Sequence, residues 1–425
     1  MFFQLAQMLF VREDAVDEHN HGGNEIEPCQ ARVHILSGVS DRLVAAREAN
    51  HADHEQDQRD PEVGLLPPAH AGDIIPCRGI LVWHREIVVV RLSQMRNLLE
   101  SVSWFAQSAP DRDVVISGRV RLARNLVHYP FPHCASEAQL QSVAAVLVDA
   151  LSSVGLTHAM ELGRLGLDER AHLVGARVIS PALLSELPHR WALLDDSGEV
   201  VAVINEEDHL RLQITCAGWQ PQALLESLLH WERVLNRLPL LWARSPKLGY
   251  LTASPINLGS GIRLGLLTHL MGLQRARQIT RWLEALQALG CHTRGLYGEG
   301  SLAFEGYVQI SLLGRSDPLD ELLARLRGTL RTLIEAEREA RACIERDALE
   351  DEWHELQATL RHSESLSLGT ALRALAVYRM RAILDYDDGQ RDYADRLLFE
   401  AAVYPPPEPE HAAKARAAWL RTRLA

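Results

Sequence analysis

The chain has 425 residues, 47% of them hydrophobic and 24% charged, with a formal net charge of -12 at pH 7. This composition indicates a globular protein large enough for two or three domains, and the acidic balance argues against a dedicated nucleic-acid-binding protein. The apolar runs are far shorter than a membrane span and the first residues lack the basic region of a signal peptide, so we expect a cytoplasmic enzyme without a membrane partner.

Residues 1–94 differ in composition from the rest of the chain. They contain seven of the nineteen histidines and little sustained periodicity. His19 and His21 could bind a metal, but polar sequence without order is the simpler interpretation. We therefore expect 1–94 to be a disordered extension, or an artefact of a start codon assigned too early, followed by a short helical segment at 95–113.

The region that follows alternates between strand and helix signals. The stretches "VVISGRVRL" and "HLRLQIT" alternate apolar and polar residues, as half-buried strands do. The stretches "QPQALLESLLHWERVLNRL" and "QRARQITRWLEALQALG" carry apolar residues at helical spacing. Because the end of the chain is mostly helical, the pattern predicts a mixed domain over 114–341 and a helical C-terminal domain over 342–425.

Arginine is the dominant cation, since only Lys247 and Lys414 among the 44 basic residues are lysines. Neither lysine follows a glycine-rich loop and no dinucleotide-binding fingerprint is present, so side chains would have to hold any nucleotide. Arg119 and Arg121, two residues apart in a predicted strand, would point to the same face. Guanidinium groups converging on one cleft would neutralise a triphosphate, although a solvated sheet face would explain any one of these arginines taken alone.

The stretch "VINEEDHLRLQ", at 203–213, places two glutamates, an aspartate and a histidine at the end of a predicted strand. Like charges this close cost free energy unless a cation uses them. Taken alone, the stretch would be a charged loop in which Glu206 and Asp208 set the turn and His209 is a structural histidine. Its chemical role therefore depends on the other motifs of the chain.

Four ordered motifs carry a resemblance: "VVISGRVRLARNLVHYPFP", "VINEEDHLRLQ", "LGYLTASPINLGSGIRLGLLTHL" and "TRGLYGEGS". Together they resemble the catalytic domain of the phosphagen (guanidino) kinases, most closely the bacterial protein-arginine kinases of the McsB type. The resemblance covers about 95–341 and is weaker in the helical tail. It implies an α+β fold with an antiparallel sheet flanked by helices, and ATP-dependent phosphorylation of arginine side chains in proteins, with Mg²⁺ held by ATP.

The resemblance also implies roles for individual residues. Glu207 and Glu299 would be the catalytic carboxylates, while Asn205 and Ser254 would line the substrate pocket. Paired acids suit this chemistry because a guanidinium is protonated near neutrality and needs both alignment and a proton acceptor. The implied ATP contacts are Ser117, Gly118, Arg119, Val120, Arg121, Arg177, Arg211, Arg263, Leu264, Gly265, Leu266, Leu267, Arg294, Gly295, Leu296, Tyr297 and Gly298.

Several positions depart from the family pattern. Gly118 stands where a second serine is usual, and we expect glycine to loosen the phosphate-binding backbone. Arg177 replaces a nucleotide-contacting histidine, and Ser254 replaces a reactive cysteine, which predicts slower turnover and no oxidative switch at that residue. Ala412 and Ala413 stand where an Arg-Asp pair would dock phosphoarginine, which puts that regulatory site in question.

The choice of substrate rests on the short segment before Ser117, which has room for barely one helix. Kinases of small guanidines carry a helical domain there, so its apparent shortness favours an arginine on a protein surface. A kinase for free arginine or another small guanidine remains an alternative, as does a catalytically weak scaffold of the same fold. The resemblance further implies a homodimer formed through the helical tail, and an activator protein and the protease machinery of protein quality control as partners.

Overall fold

The computed structural model describes residues 88–89, 107–185, 188–296, 304–314, 319–404 and 407–425. The predicted catalytic residue Glu299 and the predicted ATP contacts Tyr297 and Gly298 lie outside the described residues. The same holds for most of 1–94 and for 95–106.

A mixed sheet forms the centre of the described structure, with strand order β1-β3-β4-β5-β6-β2-β9-β11-β10. Its pairs are antiparallel apart from β1 with β3, which are parallel. Two further short strands, β7 and β8, form a separate hairpin. The strands are β1 (Val88–Val89), β2 (Val115–Arg124), β3 (His158–Glu161), β4 (Trp191–Leu194), β5 (Val200–Ile204), β6 (Leu210–Ala217), β7 (Arg244–Ser245), β8 (Gly249–Tyr250), β9 (Ile262–His269), β10 (His292–Gly295) and β11 (Tyr307–Gly314).

Helices flank the sheet and then continue as a separate tail. The first six are α1 (Glu137–Ser153), α2 (Leu167–Gly175), α3 (Pro221–Arg237), α4 (Met271–Arg275), α5 (Ile279–Ala288) and α6 (Leu319–Ala342). The tail consists of α7 (Arg346–His362), α8 (Leu368–Leu384), α9 (Asp388–Glu400) and α10 (Glu410–Leu424). The expected α+β fold, with an antiparallel sheet flanked by helices and a helical C-terminal region, is confirmed.

The two faces of the sheet differ because side chains alternate along each strand. On one face, Val120 and Leu122 of β2 are buried in a core with apolar residues of α1, α3, α5 and α6. A second core joins Leu267 of β9 to the tail helices, and a third joins β3, β4 and β5 to α2 and to Tyr404 after α9. The tail therefore packs against the face of the sheet opposite to α3.

A buried arginine of the tail forms an ion pair within the tail and hydrogen bonds to the segment just before β2. Arg379 of α8 is fully buried and donates from Nε to Asp395 Oδ1 of α9 at 2.7 Å. Its Nη2 donates to the carbonyl oxygen of Arg112 at 2.7 Å, and its Nη1 donates to that of Asp113 at 3.1 Å. Because a buried charge without its partner is costly, these bonds fix one arrangement of tail and sheet.

Strand β1 lies within the segment 1–94, whose predicted disorder stays a prediction. Val88 and Val89 pair in parallel with His158 and Ala159 of β3. They belong to the apolar, β-branched run "IVVV", a composition that favours strands. Within the described part of the chain, no helix is long and apolar enough to cross a membrane.

Candidate active site

One face of the central strands is lined by arginines. Arg121 of β2 is paired with Gln213 of β6 on one side and with Arg263 of β9 on the other. Directly paired residues of antiparallel strands point to the same face, so their side chains are neighbours. The same register adds Arg119, Arg211, Arg294, Gln309 and Ser311 to this face.

Neutral side chains orient several of these arginines. Arg119 Nη2 donates to Gln309 Oε1 at 3.1 Å, and Arg121 Nε donates to Gln213 Oε1 at 3.2 Å. Arg263 donates to Ser311 Oγ from Nε at 3.1 Å and from Nη2 at 2.8 Å. These amide and hydroxyl partners help to fix the positions of the guanidinium groups.

Burial and the neighbouring positive charges both lower the pKa values of arginines on this face. Burial lowers the pKa of Arg119 well below its ordinary value, and the charges of Arg121 and Arg177 lower it further. Burial also lowers the pKa of Arg121, where Arg211 adds to the effect and Glu206 opposes it. A polyanion bound at this face would relieve the repulsion, which makes the face suitable for a triphosphate.

Two cavities adjoin on this face. The first, of ≈ 380 Å³, is lined by the arginine side chains and by the segment 179–182 after α2. The second, of ≈ 270 Å³, lies between the sheet and the tail helices α9 and α10. Arg119, Arg177, Leu266 and Gln309 line both, so the cavities form one continuous cleft.

Arg177 lies at the junction of the two cavities. Its backbone has a φ of 61°, and its Nη2 donates to the carbonyl oxygen of Leu296 at 2.9 Å. Its guanidinium carbon lies 5.4 Å from the ring centre of Phe399. Arg177 therefore contacts Leu296, another of the predicted ATP contacts, directly after the end of β10.

Hydrogen bonds of its own buried polar side chains fix the loop 205–209 between β5 and β6. Asn205, which has a φ of 59°, is fully buried, and its Nδ2 donates to the carbonyl oxygens of Leu140 and His189, both at 2.9 Å. Its side chain is thus turned into the protein and not into the substrate pocket, which corrects the prediction for this residue. Asparagine adopts a positive φ more readily than most residues, which suits it to the start of this loop.

Asp208 and His209 also support the loop, as predicted. Asp208 Oδ1 accepts from Asn125 Nδ2 at 2.6 Å and from the Ala253 amide at 2.7 Å. His209 Nδ1 accepts from the Leu126 amide at 3.0 Å, so its Nε2 carries the proton and donates to the Pro130 carbonyl at 2.8 Å. Burial lowers the pKa of His209, which favours this neutral form.

The two glutamates of the loop lie in different environments. Glu206 forms an ion pair with Arg211, Oε2 to Nη1, at 2.5 Å and also accepts a hydrogen bond from Ser180 Oγ. Glu207, the predicted catalytic carboxylate, is exposed. The loop therefore pairs one acid with the neighbouring arginine and exposes the other to solvent.

Ser254 lies on the loop adjoining Glu207. The bond from the Ala253 amide to Asp208 ties the segment 252–257 to the loop 205–209. Ser254 is half-buried, and its carbonyl oxygen accepts from Thr252 Oγ1 at 2.9 Å. The predicted pocket residue and the predicted base are thus on linked loops, which fits a shared substrate site.

Four of the predicted ATP contacts occupy strand positions on the face that packs against α3. A Cβ added to Gly118 would lie 3.1 Å from Leu224 Cδ1 of α3, and Val120 is buried in the same core. Leu264 and Leu266 of β9 are paired with Val120 and Gly118 and share their face. Alternation along the strands turns these positions toward α3, whereas Ser117, Arg119, Gly265 and Leu267 lie on the cleft side. Leu266 nevertheless also lines both cavities.

Gly118 also differs from the expectation of a loosened backbone. It is paired with β6 on one side and with β9 on the other, so both strands constrain it. Sequence reasoning missed Gln309 and Ser311, although the alternation in "YVQISLLG" places both on one face. It also missed the residues of α9 and α10 along the second cavity, for which no local pattern exists.

Comparison with known proteins adds to this geometry. Residues 140–340 match the family described as ATP:guanido phosphotransferase, C-terminal catalytic domain. The chain is 35% identical over 298 residues to a protein-arginine kinase of Halothermothrix orenii, covering 67% of this chain and 84% of that protein. It is 32% identical over 350 residues to a protein-arginine kinase of Geobacillus sp. strain WCH70, covering 76% of this chain and 93% of that protein.

Among solved structures, lombricine kinase is similar at a TM-score of 0.47 and 20% sequence identity. The likeness covers 59% of this chain and 73% of that one.

Proposed function

The chain belongs to the ATP:guanido phosphotransferase family, and we propose that it uses ATP to phosphorylate arginine side chains of other proteins. The observation that carries the proposal is the arginine-lined cleft next to the loop of Glu206 and Glu207. Ser180 lines the cleft and donates a hydrogen bond to Glu206, so the loop that carries Glu206 and Glu207 adjoins the cleft.

The arginines suit the triphosphate of ATP. Arg119, Arg121 and Arg263 share one sheet face, and a glutamine or serine side chain accepts a hydrogen bond from each of them, which orients their guanidinium groups. Phosphoryl transfer depends mainly on positioning and on stabilising the charge of the transferred group. Arginine provides both, because its guanidinium group forms bidentate hydrogen bonds with phosphate oxygens.

The exposed acid suits the guanidinium substrate. In the proposed reaction a guanidinium nitrogen attacks the γ-phosphorus, and the N–P bond forms as the bond from phosphorus to the bridging oxygen of ADP breaks. The carboxylate of Glu207 aligns the guanidinium and accepts the proton that the nitrogen loses. Glu299, outside the described residues, is proposed as the second carboxylate of the pair.

Magnesium would neutralise charge on the triphosphate when bound to ATP. Within the described ranges, no group of three or more His, Cys, Asp or Glu side chains could hold a metal ion. A magnesium ion would enter this cleft already bound to the phosphates of ATP. The arginines would then be the protein's own ligands to those phosphates.

Two observations support protein substrates over free arginine. Glu207 is exposed, which leaves room for an arginine carried on another protein. The relatives that match over 84% and 93% of their length are named protein-arginine kinases. An activator, protease machinery, a homodimer formed through the tail and a cytoplasmic location stay predictions.

Initial rates of phosphate transfer from ATP to casein and to free arginine test the proposal. Wild type should prefer casein, and Glu207→Gln should lower its rate at least about a hundredfold, as expected for loss of a general base. Glu226→Gln, at an exposed position of α3, is the matched control and should retain the wild-type rate. Preference for free arginine, or full activity of Glu207→Gln, would contradict the proposal.

A further inference from the structure

The side chain of Asn125 joins three segments of the chain behind the candidate active site. Asn125 is buried and directly follows β2, whose arginines line the cleft. Its Nδ2 donates to Asp208 Oδ1 at 2.6 Å and to the carbonyl oxygen of Leu251 at 3.0 Å. Its Oδ1 accepts from the backbone amide of His209 at 2.8 Å. One side chain therefore connects the end of β2, the loop before β6 and the chain after β8.

The amide group of Asn125 matches its three partners. The two N–H groups of Nδ2 meet two acceptors and Oδ1 meets a donor, so reversing the amide would set acceptors against an acceptor. An aspartate at this position would place a second carboxylate against Asp208. An apolar side chain would leave buried polar groups without a hydrogen bond, which costs free energy.

The segments that Asn125 connects carry two groups proposed to act on the substrate. Glu207 directly precedes Asp208. Ser254 directly follows Ala253, whose amide donates to the same Asp208 Oδ1 at 2.7 Å. Burial raises the pKa of Asp208, whereas the hydrogen bonds from the Ala253 amide and from Asn125 lower it. Asn125 therefore helps to keep Asp208 ionised, as the acceptor to which both segments are attached.

We propose that Asn125 is a positioning residue for phosphoryl transfer, holding Glu207 and Ser254 in a fixed relation to the arginine-lined cleft. This inference rests on the proposed function, because it takes Glu207 to be the base. Within the described ranges Asn125 lines neither cavity, so it acts through Asp208 and the His209 amide. Loss of its hydrogen bonds slows the transfer step and leaves the binding of ATP unchanged.

Two substitutions in the full-length protein test the proposal through casein-dependent formation of ADP from ATP and magnesium. Asn125→Ala removes all three hydrogen bonds, and Asn125→Asp replaces the donor to Asp208 by an acceptor. At about pH 8 each should lower kcat about a hundredfold, as expected for misplacement of a reacting group by about 1 Å. Their Kd values for ATP should stay within about twofold of wild type, because the arginines of the cleft are unchanged.

The pH profile of Asn125→Asp separates positioning from a general loss of structure. Two carboxylates at hydrogen-bond distance share a proton, so the pKa of one of them is raised strongly. Lowering the pH from about 9 to about 6 should restore a donor to Asp208 and raise the kcat of Asn125→Asp about tenfold relative to wild type. Asn125→Ala has no acid at this position and should show no such recovery. The charges of Glu206 and His133 also act on Asp208, but they are common to all these proteins and cancel in the ratio to wild type.

Asn236→Asp is the matched control, because it makes the same change of amide to carboxylate at an exposed position of α3. It should keep the wild-type kcat throughout the pH range. Wild-type kcat in either Asn125 variant, equal losses of kcat and ATP affinity, or a loss in Asn125→Asp that acid does not reverse would overturn the positioning role. Wild-type protein that forms no ADP with casein would instead overturn the proposed function, and this inference with it.

Discussion

Replacing Arg121 with glutamine should stabilise the ligand-free protein and weaken its stabilisation by ATP. Arg121 is directly opposite Arg263. Burial lowers its pKa, and the charge of Arg211 lowers it further. Its Nε donates to Gln213 Oε1 at 3.2 Å, a hydrogen bond that a glutamine amide can also donate. The substitution therefore removes a crowded charge while keeping a donor.

The size of the effect follows from the charges. Two unit charges about 6 Å apart repel by about 3 kcal/mol at an effective dielectric constant of about 20. Glu206, paired with Arg211 at 2.5 Å, offsets part of this repulsion. We therefore expect the free energy of unfolding without ligand to rise by about 1–2 kcal/mol. ATP at about 100 times its Kd should stabilise wild type by about 2.7 kcal/mol, and the variant should lose most of this gain.

Urea unfolding with and without ATP, followed by tryptophan fluorescence, measures all four free energies. Arg331→Gln is the control, because Arg331 is exposed on α6 and pairs only locally with Glu335. It should change neither the stability nor the gain from ATP by more than about 0.5 kcal/mol. An Arg121→Gln protein that is less stable than wild type without ligand, or that keeps the full gain, would refute the reasoning.

Three further predictions concern glycines and a buried acid. Burial raises the pKa of Glu337 from 4.5 to about 7, so its contribution to stability is present below about pH 4.5 and is lost as the pH rises through about 7. Urea unfolding between pH 5 and 8 should show a loss of up to about 3 kcal/mol in wild type that is absent in Glu337→Gln. Gly118→Ser should not raise kcat, because the new side chain faces α3 and costs about 1 kcal/mol of stability; a faster enzyme would contradict this placement. Gly175→Ala should destabilise by about 2 kcal/mol or more through its contact with Ala401, whereas Gly328→Ala on the open side of α6 should be neutral or stabilising; equal melting temperatures would count against the contact.

The sequence was sufficient to predict the arginine-lined face. Two-residue spacing placed Arg119 and Arg121 on the same side of a strand, and the structure pairs Arg121 with Arg263 and Gln213. The same alternation would have removed Val120 and Leu264 from the expected ATP contacts. The family motifs are continuous stretches of chain, whereas only alternate side chains of a strand face the cleft.

Other features could not be predicted from local patterns. Periodicity describes one element at a time, so it does not indicate that Phe399 and Trp419 meet the sheet across the second cavity. The inward turn of Asn205 depends on carbonyl oxygens of Leu140 and His189, which are distant in the sequence. Contacts of this kind are set by tertiary packing.

The chemical identity of the product tests the central claim most directly. Casein incubated with this protein, ATP and magnesium should carry phosphate on arginine nitrogen, detected by mass spectrometry at neutral pH and lost on brief acid treatment. Acid-stable phosphate on hydroxyl side chains, or no phosphate on casein under conditions where ATP binds, would contradict the assignment of this protein as an arginine kinase acting on proteins.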